Sequence, residues 1–122
     1  MNSIVLLSDD KKKSLLLRFC DVYKSVLSKY SLFSTYMLSY FLSETIKVSP
    51  LLDDGISSYQ QIISKIHCKE IILVIFFKDC YTCRKRPIFE NELFGTCDLY
   101  NIPYATNLAM AETFLNTLLL GK

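Results

Sequence analysis

Glycine and proline are scarce in this chain, at three each in 122 residues. That scarcity excludes collagen-like, linker-rich and low-complexity organisations, all of which depend on these residues. Charge of one sign is also lacking, because 14 basic and 12 acidic residues leave a formal charge of only +2. The run Lys11-Lys12-Lys13 directly follows Asp9-Asp10, so it does not read as a nucleic-acid arm, and no nucleic-acid partner is expected. Long apolar runs are missing too. Ile71 to Phe77 is too short to cross a bilayer. The opening Met1-Asn2-Ser3 has no basic region, and Ile4 to Leu7 is far too short for a signal core. A soluble, cytoplasmic protein with no membrane partner is expected.

What is present is a globular composition, 51% hydrophobic and 21% charged. A chain of this length can bury a core large enough to fold without disulfides or metal, so a single domain over residues 1–122 is expected. Five cysteines, an odd number with no secretory signal, point to free thiols in a reducing compartment.

Strand-like and helix-like segments alternate. Ser3 to Ser8 is a short buried-type run ending at Asp9-Asp10, which reads as a strand and a polar turn. From Lys11 to Tyr30 the apolar residues Leu16, Phe19, Cys20, Tyr23, Leu27 and Tyr30 recur three or four positions apart, which predicts one amphipathic helix capped by Asp9 or Asp10. Ser31 to Thr35 predicts a second strand, Tyr36 to Thr45 a brief helix, and Lys47 to Leu52 a third strand ending in Asp53-Asp54-Gly55. Ser57-Ser58 opens a further helix carrying Ile62, Ile63 and Ile66. Glu70 to Phe77 is the clearest strand, carrying the continuous apolar run Ile71 to Phe77, and is expected at the centre of a sheet. A helix from Pro87 to Tyr100, a short strand from Pro103 to Thr106, and a helix from Leu108 to Leu120 started by Asn107 complete the pattern. Five strands alternating with five helices imply an α/β fold: a three-layer, doubly wound domain, its five-stranded sheet mainly parallel, with helices on both faces. In such sheets ligands sit outside the carboxyl ends of the strands. Here those ends are Ser8-Asp9-Asp10, Thr35, Asp53-Asp54-Gly55, Lys78-Asp79 and Thr106-Asn107.

Val74-Ile75-Phe76-Phe77-Lys78-Asp79 is similar to the IFFWD strand end of the methylglyoxal synthase family. Tyr100-Asn101-Ile102-Pro103-Tyr104-Ala105-Thr106-Asn107-Leu108-Ala109-Met110-Ala111 follows at the ungapped interval and resembles that family's NIPVATN-x-ATAD segment. Ile4 to Lys13 is similar to its IALIAHDxxK start, Leu32 to Thr35 to its L-x-ATGTTG turn, and Tyr59 to Ile62 to its GGDQQ-I segment. The resemblance runs from Ile4 to about Leu118. It implies a carbon–oxygen lyase that converts dihydroxyacetone phosphate to methylglyoxal and phosphate. In that reaction a carboxylate base removes a carbon-bound proton, and phosphate then leaves the enediol. The resemblance also implies a small phosphorylated metabolite as partner and a homo-oligomer (a hexamer in the family); neither cofactor nor metal is expected.

Carried over position by position, the resemblance makes Asp10 and Asp79 the retained carboxylates, Lys13 the phosphate-contacting lysine and Thr35 the first threonine of the phosphate turn. Other positions differ. Tyr59 stands at the catalytic aspartate, and phenols, with an ordinary pKa of about 10, are weak bases at neutral pH. Met37-Leu38 fills the phosphate turn with bulk, Asp53-Asp54 replaces the Ser-Gly of an SGP turn, Asp9 replaces the histidine of the opening HD pair, and Arg86 replaces the histidine of HDPD. Asp54 and Arg86 are the candidates for compensating roles. Arg84-Lys85-Arg86 with Lys78 forms a basic loop that could recapture an anion.

Other motifs carry less. Cys80-Tyr81-Thr82-Cys83 has redox spacing but follows a strand in a non-thioredoxin context. His67-Cys68 cannot share a metal with that pair, because the intervening strand separates them by roughly 25 Å. Two functions remain open: a working lyase using Asp79, Asp10 or Asp54 as base, and a non-catalytic ligand-binding or assembly module of the same fold.

Overall fold

The structure is a computed structural model and describes residues 2–52, 56–79 and 87–120. Strand β1 (Ser3–Ser8) exits into a single 3-10 turn, Asp10–Lys12, and helix α1 (Lys13–Val22). There follow α2 (Lys24–Leu27), β2 (Ser31–Ser34), α3 (Tyr36–Leu42), β3 (Ser49–Pro50) and α4 (Ile56–His67). The chain continues through β4 (Ile71–Phe77), α5 (Pro87–Leu99), β5 (Tyr104–Ala105) and α6 (Leu108–Leu120). The five strands form one sheet in the order β3-β2-β1-β4-β5, and every pairing is parallel.

The two central strands carry the core, because each is covered on both faces. Ile4 and Leu6 of β1, with Leu73, Ile75 and Phe77 of β4, pack against Leu16 and Phe19 of α1, Leu42 of α3 and Leu115 of α6. Val5, Leu7, Val74 and Phe76 face the other way, onto Ile62 and Ile66 of α4 and Leu93 of α5. Ile71 and Leu73 are two residues apart yet belong to opposite faces. The cause is a register irregularity beside Ser3 and Ile4, where β4 advances one extra residue and strand alternation resets.

Several local expectations change. The long amphipathic segment breaks at Tyr23, so the described residues hold six α-helices rather than five. Neither α1 nor the turn before it receives a side-chain cap, because Asp9 points its carboxylate at the neighbouring strand end instead. β3 shrinks to two residues, since pairing with β2 involves only Ser49 and Pro50. Asn107 does cap α6, its Oδ1 accepting from Met110 N at 3.0 Å.

Two helices end at a non-glycine residue in the left-handed region. Lys69 follows α4 and Asn101 follows α5, each with φ of 61°. In both, the next amide reaches back to the last turn: Glu70 N donates to Lys65 O at 3.0 Å and Ile102 N to Cys97 O at 2.8 Å. Asparagine tolerates this conformation better than lysine does. Replacing the exposed Lys69 by glycine is therefore expected to raise stability by about 0.5–1 kcal/mol, read as a higher urea midpoint. A lower midpoint would show that the unfolded-chain entropy of glycine outweighs the relieved strain.

Candidate functional site

The strand order determines where a ligand can lie. From β1 the chain crosses to β2 on one side, and after β3 it returns to β4 on the other side of β1. The crevice of a doubly wound sheet opens at such a reversal, outside the carboxyl ends of the two strands concerned. Here those ends are Ser8-Asp9-Asp10 and Lys78-Asp79, which the resemblance had also singled out.

The two ends are joined directly. Asp9 N donates to Phe77 O at 2.9 Å, continuing the ladder past β1. Asp79 N donates to Asp9 Oδ2 at 2.6 Å, across 70 residues of chain. Asp9 thus fixes the backbone of the residue that carries one of the candidate carboxylates. Lys12 N donates to Asp9 O at 2.9 Å, so the same residue also starts the 3-10 turn that leads to Lys13. Asp10 is exposed in that turn.

Lys13 begins α1 with its Nζ 5.2 Å from the centre of the Phe41 ring, an arrangement that keeps the ammonium at the α1–α3 edge. Thr35 leaves β2 and caps α3, its Oγ1 accepting from Leu38 N at 3.4 Å. That duty uses the hydroxyl as an acceptor and still allows it to donate. Tyr59 lies in the first turn of α4, half-buried, and packs against the apolar cluster of Val5, Leu7 and Phe76. Gln61 Oε1 accepts from Leu52 N at 2.8 Å and ties α4 to the end of β3. Asp54, Arg86, Arg84 and Lys85 lie outside the described residues, as do Asp53, Cys80 and Cys83.

Lys78, read from the sequence as part of a basic loop that could recapture an anion, is ion-paired in the structure. Its Nζ lies 3.2 Å from Glu90 Oε1 of α5 and 5.0 Å from the centre of the Phe94 ring. Its backbone N donates to Thr106 O at 3.3 Å, extending the β4–β5 ladder. Lys78 therefore fastens the β4 exit to α5. Twelve residues separate the two charges in sequence, and no local periodicity signals such a pair.

Other titratable groups fall elsewhere. His67 is at the opposite end of β4, its Nδ1 2.6 Å from the Tyr100 hydroxyl and the rings edge to face. Burial pushes the thiols of Cys20 and Cys97 up to about 12, with Asp98 adding to the effect at Cys97, so neither supplies a thiolate nucleophile. Among the described residues, no group of three or more His, Cys, Asp or Glu is placed to hold a metal ion. A cavity of about 280 Å³ beside β2 and β3, lined by Tyr30, Phe33, Lys47 and Ser49 among others, involves none of the candidate side chains. No helix among the described residues is long and apolar enough to cross a membrane.

No protein-family model matches the chain. In sequence it is similar to the methylglyoxal synthase of Caldicellulosiruptor saccharolyticus, 36% identical over 118 residues that cover 95% of this chain and 84% of that one. It is likewise similar to the methylglyoxal synthase of Clostridioides difficile, 36% identical over 122 residues that cover 98% of this chain and 89% of the relative. In structure it is similar to the crystal structure of methylglyoxal synthase from Elizabethkingia anophelis. That similarity has a TM-score of 0.82 and 27% identity, and covers 93% of this chain and 76% of that one.

Proposed function

Because the chain belongs to the methylglyoxal synthase family, we propose that its strand-exit crevice takes a small phosphorylated metabolite such as dihydroxyacetone phosphate but turns it over weakly or not at all. The observation that carries this reading is Tyr59. By the resemblance it stands where the family motif has its catalytic aspartate, and it is half-buried against the apolar cluster that includes Val5, Leu7 and Phe76. Removing a carbon-bound proton needs a base in hydrogen-bond reach, and a positioned base contributes about 10²–10⁴-fold to rate. A phenol does not replace a carboxylate in that role at neutral pH.

In this reading Lys13 and the hydroxyl of Thr35 contact the phosphate, and Asp10 and Asp79 contact the three-carbon portion. Asp54 and Arg86 have the compensating roles suggested by the resemblance. The chain works in the cytoplasm as a homo-oligomer, hexameric like the family, without metal or cofactor. Size-exclusion chromatography with light scattering tests the assembly: a monomeric mass at micromolar concentration would rule it out.

Purified protein incubated with dihydroxyacetone phosphate, beside the Clostridioides difficile relative, is expected to give a kcat/KM for methylglyoxal formation at least ~100-fold lower. A second reading, a working lyase, is favoured by one observation: the hydrogen bond that brings the Asp9 and Asp79 ends together at the switch point. Turnover equal to that of the relative and abolished by Asp79→Asn would establish the lyase and overturn the binding-module reading.

A further inference from the structure

Along β1 the residues Ile4, Leu6 and Ser8 share one face, the face of α1, α3 and α6. Ile4 and Leu6 fill the core there, while Ser8 ends the row at the strand exit, opposite Phe77 of β4. A serine in this place departs from the apolar pattern below it. Its Oγ is buried and has no hydrogen-bond partner, the one such side-chain atom among the described residues.

A neighbouring serine shows what a purely structural hydroxyl does here. Ser34, at the end of β2, donates its Oγ to Leu6 O across the strand pair. Ser8 has no equivalent acceptor. A buried hydroxyl without a partner costs folding free energy that alanine at the same position would not incur. Ser8 as a residue nevertheless retains exposed surface. Rotation about χ1 to another staggered position moves the Oγ without moving the backbone, and the proposal below needs such a turn toward the strand exits. The next residue is Asp9, whose carboxylate holds Asp79 N, so Ser8 stands beside the contact that joins the two strand ends.

We propose that Ser8 is a ligand-contacting residue whose hydroxyl donates a hydrogen bond to an oxygen of the phosphorylated metabolite. This rests on the reading of the crevice given above. The surroundings favour a neutral donor. Asp9, Asp10 and Asp79 crowd the exits with negative charge, and a hydroxyl can reach an anionic oxygen at about 2.7 Å without being ion-paired by them. The ligand thereby satisfies a group that the free protein leaves unpaired, which makes the contact specific to the bound state.

The test compares wild type, Ser8→Ala and Ser8→Thr in two measurements, urea unfolding and calorimetric titration with dihydroxyacetone phosphate or inorganic phosphate. Ser8→Ala is expected to be at least as stable as wild type yet to bind dihydroxyacetone phosphate about tenfold more weakly, with Ser8→Thr keeping most of the affinity. An equal loss with inorganic phosphate places the bond on the phosphate group; a loss confined to dihydroxyacetone phosphate places it on the carbon skeleton. A destabilised Ser8→Ala, or affinity unchanged within about twofold, overturns the inference while leaving the crevice intact. If wild type binds neither probe, the crevice reading fails and this inference fails with it.

Discussion

Truncating Phe77 to alanine is expected to remove about 3–5 kcal/mol from the stability of the fold, a large share of the 5–15 kcal/mol typical of a domain. Phe77 is the last residue of β4 and only 1% exposed. Its ring meets Phe19 of α1 edge-on, with centroids 5.4 Å apart and planes at 86°. Alanine would leave a ring-sized void between the central strand and α1, in a layer held by Leu6, Leu16 and Ile75. Phe77→Leu, which keeps most of the volume, is expected to cost about 1.5 kcal/mol. The urea midpoints of the two variants check this. A loss below about 1 kcal/mol for alanine would mean that α1 collapses onto the sheet to close the gap.

The second large effect belongs to the pair beside it. Lys78→Met removes the ammonium 3.2 Å from Glu90 Oε1, on a glutamate whose side chain is only 7% exposed. Breaking a fully buried pair costs about 3–5 kcal/mol, because the remaining charge stays in a poor solvent. Lys78 is itself 24% exposed, so solvent screening reduces the expected loss to about 2–3 kcal/mol. Lys78→Met combined with Glu90→Leu is expected to recover most of that loss, since an apolar pair suits the surroundings supplied by Phe76 and Phe94. A double-mutant cycle in urea measures the coupling directly. Strictly additive single losses would show that the two side chains do not stabilise one another.

The elements legible in the sequence were those whose signal is local. Ile71 to Phe77 announced a central strand through its unbroken apolar run, and the strand is indeed covered on both faces. Asn107 announced a helix start, and its side chain forms the expected cap. Strand order was not legible, because parallel neighbours are separated by whole crossovers and no short-range pattern records which edge a strand joins. The same limit hid the helix break at Tyr23, where backbone hydrogen bonding passes from Phe19 to Tyr23 and on to Leu27 without a proline or glycine to mark it.

The site divides in the same way. Motif spacing placed Asp10, Lys13, Thr35 and Asp79 at or just beyond strand ends; Asp10, Thr35 and Asp79 lie just after β1, β2 and β4, while Lys13 opens α1. It did not show that Asp9 would accept from Asp79 N, because that contact depends on β1 and β4 being neighbours. Nor did it show that Lys78 is held by Glu90. Both contacts belong to the three-dimensional arrangement, so a residue-by-residue comparison with a family motif passes over them.

The sheet's outermost strands bear on how the protein avoids aggregation. β3 and β5 are each two residues long, and one of the two residues in β3 is Pro50, which has no amide to offer an incoming strand. The margins of the folded sheet are therefore poor templates for a neighbouring molecule. The hazard lies instead in Ile71–Phe77, an apolar, β-prone stretch with no charge or proline, which the native state shields between β1 and β5. Before β1 docks beside it, that stretch is open to intermolecular pairing, so the vulnerable period is folding itself. Recovery from denaturant should therefore fall as protein concentration rises.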